Sequence, residues 1–297
     1  MTGIISVVIQ SLILSIMVLG IYISYKILDF PDLSVDGSFS LGGAIIAFSL
    51  TNNISPITGT LLAIICGLIS GLVTGILHIK LKISNLLSGI LVMGMLYSIN
   101  LGIMGKSNIP LFDLNHLFNM GISPLVLVSI IVLFCKFILD LFLTTGLGYT
   151  LKAVGDNPQM VKSLGIDIGV IKILGLMLSN ALVALSGSLF AQFQGFADVN
   201  LGIGTLILGI ASIIIGISIF KKLTFIKPTT SILLGTLIYQ FTIYFAIDLG
   251  IVPPNNLKLM TSIVIILFLS VGNLNIFANN NSNYKNLKRR GVVDVAD

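Results

Sequence analysis

The feature that most constrains this chain is its series of long apolar runs. Eight of them lie at 3–27, 57–79, 84–104, 121–145, 169–192, 203–220, 229–247 and 257–277. A helix of about 20 apolar residues matches the hydrocarbon thickness of a bilayer. Backbone groups inside lipid must be satisfied within the segment, so each run reads as a membrane-crossing helix. A ninth apolar segment, 38–50, is too short to cross unaided, and is expected to be a half-helix or a short span shielded by its neighbours. The predicted fold is an all-α polytopic membrane protein, a bundle of eight or nine transmembrane elements including one short or half helix. Composition agrees, since only 9% of residues are charged against about 25% in soluble domains. Run 3–27 is longer than a signal-peptide core and has no Lys or Arg before Lys26, so it is predicted to be a retained helix.

Basic residues then orient the bundle. Lys26, Lys80, Lys82, Lys152, Lys162, Lys172, Lys221, Lys222, Lys227, Lys285, Lys288, Arg289 and Arg290 fall on alternate connections and the tail. Only Lys106 and Lys258 fall on the other side, and Lys136 lies within a span. Cytoplasmic loops carry such an excess, which predicts a cytoplasmic 146–173 loop and C-terminus. The N-terminus is outside if 38–50 crosses and inside if that segment is re-entrant. Because the net charge of +5 follows topology, it gives no indication of nucleic acid. Residues 1–278 form the membrane domain. Residues 279–297 form a polar, disordered cytoplasmic tail whose Lys-Leu-Lys-Arg-Arg cluster sets topology and attracts anionic membrane lipid.

Enzymatic motifs are missing. The two histidines, His78 and His116, are far apart, and Cys66 and Cys135 sit inside apolar runs as structural thiols, so no metal ligand set is expected. The sequence contains neither a G-x-S-x-G elbow nor a G-x-x-x-x-G-K-[ST] loop. Lys136 and Asp140 are four apart on one helical face and are expected to pair. Such a pair is a functional candidate inside a membrane, although its place near the cytoplasmic end favours a structural role. Gly67, Gly71 and Gly75 form a small-residue stripe for close helix packing, and Gly175, Ser179 and Gly187 an interrupted one.

Two polar segments stand out. In 146–173, Asn157 before Pro158 predicts a capped helix running to about Leu164 and stopped by Gly165. A charged helix outside the bilayer suits docking of a soluble partner, or anchoring at the interface. In LDFPDLSVDGSFSLGGA (28–44), three aspartates surround Pro31, and a half-helix is expected from about Asp36, capped by Asp36 or Ser38. Broken backbone near membrane depth survives only where protein buries it or water reaches it. The segment is therefore placed on a translocation pathway, with its aspartates at the cytoplasmic rim and Asp32, Asp36, Gly37 and Ser38 as candidates. An ordinary acidic turn is the alternative.

On DFPDLSVDGSFSLGGA, LKAVGDNPQMVKSLGI and SNALVALSGSL, the chain resembles the membrane permease subunits of bacterial ABC importers. The group is that of branched-chain amino acid and ribose permeases, and the likeness is nearest to amino acid permeases of the tryptophan/tyrosine type. The resemblance implies a permease forming the pathway for a small solute, an amino acid of aromatic or branched-chain type. It implies a second permease copy as a homodimer, a cytoplasmic ATP-binding subunit, and an extracellular substrate-binding protein. ATP and Mg would be used by the ATPase, with no cofactor on this chain. Ala153, Gly155, Asp156, Asn157, Pro158 and Gly165 match the family pattern of the coupling helix that seats on the ATPase. The bacterial cell membrane is the implied location. Two competing classes are a stand-alone secondary transporter and, less favoured, a membrane-embedded enzyme or assembly factor. An internal inverted repeat would favour the secondary transporter, and none is evident by eye.

Overall fold

A computed structural model describes residues 2–249 apart from 120, 222 and 224, together with 262, 263 and 266. The expected run 257–277 and the tail 279–297 otherwise lie outside the described residues. The chain forms two compact units, 1–241 and 242–297, and the architecture below is that of the first.

Helix α1 (Thr2–Ile21) ends in a π-helical turn (Tyr22–Ile27). It is followed by α2 (Ser34–Thr51), α3 (Pro56–Ile79) and α4 (Asn85–Met104). A short strand β1 (Asn108–Pro110) and α5 (Pro124–Leu143) come next. Two small helices, α6 (Gly146–Asp156) and α7 (Pro158–Ser163), precede the long α8 (Ile168–Gln194). Strand β2 (Phe196–Asp198) pairs antiparallel with β1, Asn108 opposite Asp198, and α9 (Thr205–Phe220) and α10 (Pro228–Asp248) follow. Among the described residues, six helices are long and apolar enough to cross a bilayer, and α9 is a shorter apolar one. The protein is an all-α polytopic membrane protein.

Helix α8 lies at the centre, packed on α1, α2 and α3. Small residues permit that closeness. A Cβ on Gly67 would come 2.5 Å from the Asn180 carbonyl oxygen, one on Gly71 would overlap the Leu176 carbonyl, and one on Gly75 would sit 2.8 Å from Ile173 Cγ1. Backbone-to-backbone approach of this kind is how helices bind each other in lipid, where apolar burial gives little drive. Gly187 on α8 answers with the Phe39 carbonyl of α2, and Gly175 with Leu28 and Leu151 side chains.

Three expectations are corrected. Segment 38–50 is a span shielded by its neighbours and not a half-helix, and its helix starts at Ser34 and not near Asp36, because Ser34, Asp36 and Ser38, polar enough to look like loop, are all buried with bonded side chains. The 146–173 connection holds α6 as well as α7, since Thr145 accepts from Gly148 N and Leu151 and Val154 bury the inner face. The third correction concerns internal symmetry. Phe30-Pro-Asp32-Leu-Ser-Val returns 166 positions later as Phe196-Ala-Asp198-Val-Asn-Leu. The same displacement carries α1 with its π turn onto α8, α2 onto α9, and α3 onto α10.

The two copies run in opposite directions. Ser179 Oγ donates to Gly20 O and Ser186 Oγ to Ile13 O, both at 2.8 Å, so α1 and α8 are antiparallel. Ser179 and Ser186 are the counterparts of Ile13 and Gly20, so the two contacting residue pairs are images of each other. Contacts of α2 with the α9 entry repeat the pattern: Leu206 N donates to Asp36 Oδ1 at 2.8 Å, and Gly202 N to Ser40 Oγ at 2.9 Å. A pseudo-twofold axis therefore passes between Asp36 and Gly202, which are counterparts in direct contact. The chain has an inverted repeat hidden by the free exchange of one apolar residue for another.

Candidate functional site

The two copies of the repeat each contain a break before a helix, and the first turns of α2 meet the second break inside the bundle. In the first, Asp29 adopts a left-handed conformation (φ 52°), Phe30 is fully buried, and Asp32 is 0% exposed. Asp32 Oδ1 accepts from Ser34 N at 2.9 Å, bending the chain into α2, and its Oδ2 accepts from Asn180 Nδ2 at 2.9 Å. Ser34 Oγ donates to Asn180 Oδ1 at 3.3 Å, closing the triangle. In the second break, Asp198 Oδ1 accepts from Asn200 N at 2.7 Å, and Oδ2 from Asn108 Nδ2 at 3.1 Å.

Asp36 caps a helix other than its own, which corrects the expectation that it or Ser38 would cap α2. Its Oδ1 accepts from Leu206 N (2.8 Å) and Thr205 Oγ1 (2.9 Å), and its Oδ2 from Gly204 N (2.9 Å). A carboxylate at the start of α9 satisfies otherwise unpaired amides and faces the positive end of the helix dipole. Ser38 instead shares a 2.7 Å hydrogen bond with Ser70 of α3. Gly37 lies beside Met93 and Leu96, halfway along α4, so this junction is at mid-depth and not at the rim. Gly202 has no alternative residue, because a Cβ there would overlap the Asp36 carbonyl. The start of α9 is thus held inside the bundle by a carboxylate from the first turn of α2.

The second candidate cluster is at the end of the bundle where α3 stops and α8 starts. Asn157 Oδ1 accepts from Met160 N at 3.1 Å, Pro158 takes the first helical position, and Gly165 (φ 77°) follows the C-cap. Asp156, Asn157, Pro158 and Gly165 are exposed, whereas Ala153 packs on the main core. Gly155 lies against the Ile27 carbonyl at the end of the π turn, where any Cβ would overlap it. Met160 and Leu164 are left as exposed apolar side chains, 58% and 66% accessible. The cluster is thus separate from the Asp36 junction, but its seat is the π turn that leads into the first break.

Elsewhere, Lys136 Nζ lies 2.9 Å from Asp140 Oδ2, and the expected pair gains Lys227 at 3.4 Å and Thr229, whose hydroxyl donates at 2.7 Å. This network ties α5 to the start of α10. His78 bonds the Ile83 carbonyl at 2.8 Å and stacks edge-on with Phe30. Sequence reasoning passed over Asn180, Asn100, Ser40 and Gly202. The signal was present, since an asparagine within an otherwise apolar helix requires a partner or a function.

An inverted bundle with a mid-depth polar junction and a helical projection at one end defines a membrane transport subunit. The family model for "Branched-chain amino acid transport system / permease component" matches residues 3–269, and the chain belongs to that family. It is an ABC importer permease for an amino acid. The chain is 73% identical over 276 residues, 93% of each, to a "Tyrosine transport system permease protein" of Clostridioides difficile (strain R20291). It is 36% identical over 273 residues, 88% of this chain and 94% of the other, to "Uncharacterized protein RP368" of Rickettsia prowazekii (strain Madrid E). No solved structure matches it.

Proposed function

We propose that two copies of this chain form the translocation path of a bacterial plasma-membrane importer whose substrate is tyrosine or a closely related aromatic amino acid. The name of the Clostridioides relative supports the substrate class. A cytoplasmic ATPase subunit drives transport, an extracellular binding protein delivers the substrate, and ATP and Mg bind the ATPase and not this chain. The lysine distribution puts α6–α7 and the C-terminus in the cytoplasm and the start of α1, at the opposite end of the bundle, outside.

The observation that carries the coupling role is the seat of Gly155 on the Ile27 carbonyl, with Met160 and Leu164 facing outward on the next turns. Force applied to α7 passes through backbone contact to the π turn, and from there to the first break. Closure of an ATPase dimer would move this unit as a rigid body and bias the path between inward- and outward-facing states. Replacing Met160 and Leu164 together by Asp tests the docking face. The expected result is loss of the ATPase subunit from the complex purified in mild detergent, with unchanged thermal stability of the permease. Retention of a stoichiometric ATPase by this variant would count against docking there.

A further inference from the structure

A cavity of about 250 Å³ lies alongside the mid-depth junction, with Asp36, Ser40, Met93, Gly94, Tyr97 and Asn100 among its walls. Asn100 is fully buried, and its Nδ2 donates to the Gly37 carbonyl at 3.2 Å, yet its Oδ1 has no hydrogen-bond partner. A buried acceptor left unpaired forfeits the hydrogen bond it had with water, so the group asks for a donor from something that enters. Among the described residues, the only charged side chain on the cavity wall is the Asp36 carboxylate, and no Lys or Arg lines it. Asp36 is bonded to neutral amides and a hydroxyl, so its negative charge is spread but not neutralised. The apolar walls are Met93, Val199, Ile203 and the half-exposed Tyr97 ring, and Gly94 is exposed with nothing within 4 Å of a Cβ. The cavity opens on the side of α4 that carries Gly94 and Tyr97, and its polar groups lie inward of that opening.

We infer that this cavity is a transient subsite for an amino acid in transit: its ammonium group lodges between Asn100 Oδ1 and the Asp36 carboxylate, and its apolar side chain lies against Met93 and Tyr97. The inference rests on the permease reading above and names the side chains that hold the cargo. An acceptor beside a carboxylate selects a cationic donor, while the lack of a cation leaves the substrate carboxylate facing the open mouth. That arrangement grips one end only, as a path that must also release its cargo requires.

The test uses the complete importer in proteoliposomes, its permease carrying Cys66→Ser, Cys135→Ser and Gly94→Cys. The rate of Gly94→Cys labelling by an uncharged methanethiosulfonate is measured with tyrosine, phenylalanine or 4-hydroxyphenylpropionate, which lacks the ammonium. Tyrosine and phenylalanine are expected to slow labelling severalfold, and the propionate is not. Adding Asn100→Leu is expected to abolish the protection. Because that variant could also disturb α2, Gly94→Phe serves as a second one: it fills the cavity from a position free of contacts and is expected to stop uptake in a complex that still assembles. Protection by the propionate alone, protection unaltered by Asn100→Leu, or normal uptake by Gly94→Phe would overturn the subsite. Uptake driven by ATP without any protection would overturn it and leave the permease reading intact, whereas absence of ATP-driven uptake in the unaltered importer would overturn both.

Discussion

The two breaks of the inverted repeat begin from the same short motif and end in different environments. The first, at 28–33, is sunk in the bundle: Asp32 has no exposure, and its oxygens are used by Ser34 and by Asn180 of the central helix. The second, at 199–204, follows a β pairing, and the bonds of Asp198 to Asn108 and Asn200 are exposed. Each aspartate turns the chain by binding the amide two residues on, so the local device is shared. What differs is the load attached to it. The first break is joined through the π turn to Gly155 and the α6–α7 projection. The second is tied to the β1–β2 pairing at the other end, and its helix is capped from across the axis by Asp36. The same local device is thus attached to the Gly155 seat in one copy and to the Asp36 junction in the other.

The comparison can be broken most forcefully at the axis itself. Gly202→Val drives a side chain into the Asp36 carbonyl, and backbone overlap of this kind costs about 3 kcal/mol or more. The expected outcome is little folded protein in detergent, whereas Gly94→Ala, with open space around it, changes melting by no more than its helix propensity predicts. Next in size, Asp32→Ala strips buried amides of an acceptor and is expected to cost about 1–3 kcal/mol. The paired change Asp198→Ala, in the exposed copy, should cost under about 1 kcal/mol, and equal losses of melting temperature would refute the difference in burial. Gly155→Ala should leave the bundle folded but lift α6 off Ile27, lowering ATP-driven uptake more than ATPase binding; parallel losses of both would make Gly155 a docking residue instead. The smallest effect is expected for Lys227→Ala. Its ammonium is two-thirds exposed, so the pair with Asp140 contributes at most about 1 kcal/mol, and Lys136 remains to hold Asp140.

Much of the bundle was legible in the sequence because lipid leaves few choices. Runs such as 57–79 and 84–104 differ from Pro56–Ile79 and Asn85–Met104 by a residue at their ends. Helix α7 was readable from Asn157, Pro158 and Gly165, since capping chemistry is local. Helix α6 was not: glycines at 146, 148 and 155 argue against a helix, and the last two are explained only by the seats of Gly148 on the Phe142 carbonyl and of Gly155 on Ile27. The start of α2 failed for a related reason. Ser34, Asp36 and Ser38 find their partners on α8, α9 and α3, and long-range bonds leave no mark in a local pattern. The repeat survives as one six-residue motif because elsewhere the bilayer asks only that residues be apolar. Asn100 is the residue of the candidate site that sequence alone could have flagged, a buried amide in an apolar helix with nothing nearby to explain it.

The central claim is that energy reaches this path from a separate ATPase through α6–α7. The most direct measurement is tyrosine accumulation in proteoliposomes holding this chain alone, or this chain with its ATPase and binding protein. The account predicts accumulation only in the complete system, dependent on ATP and indifferent to proton and sodium gradients. Accumulation by the chain alone, driven by such a gradient, would contradict it and make the inverted repeat the core of a secondary transporter.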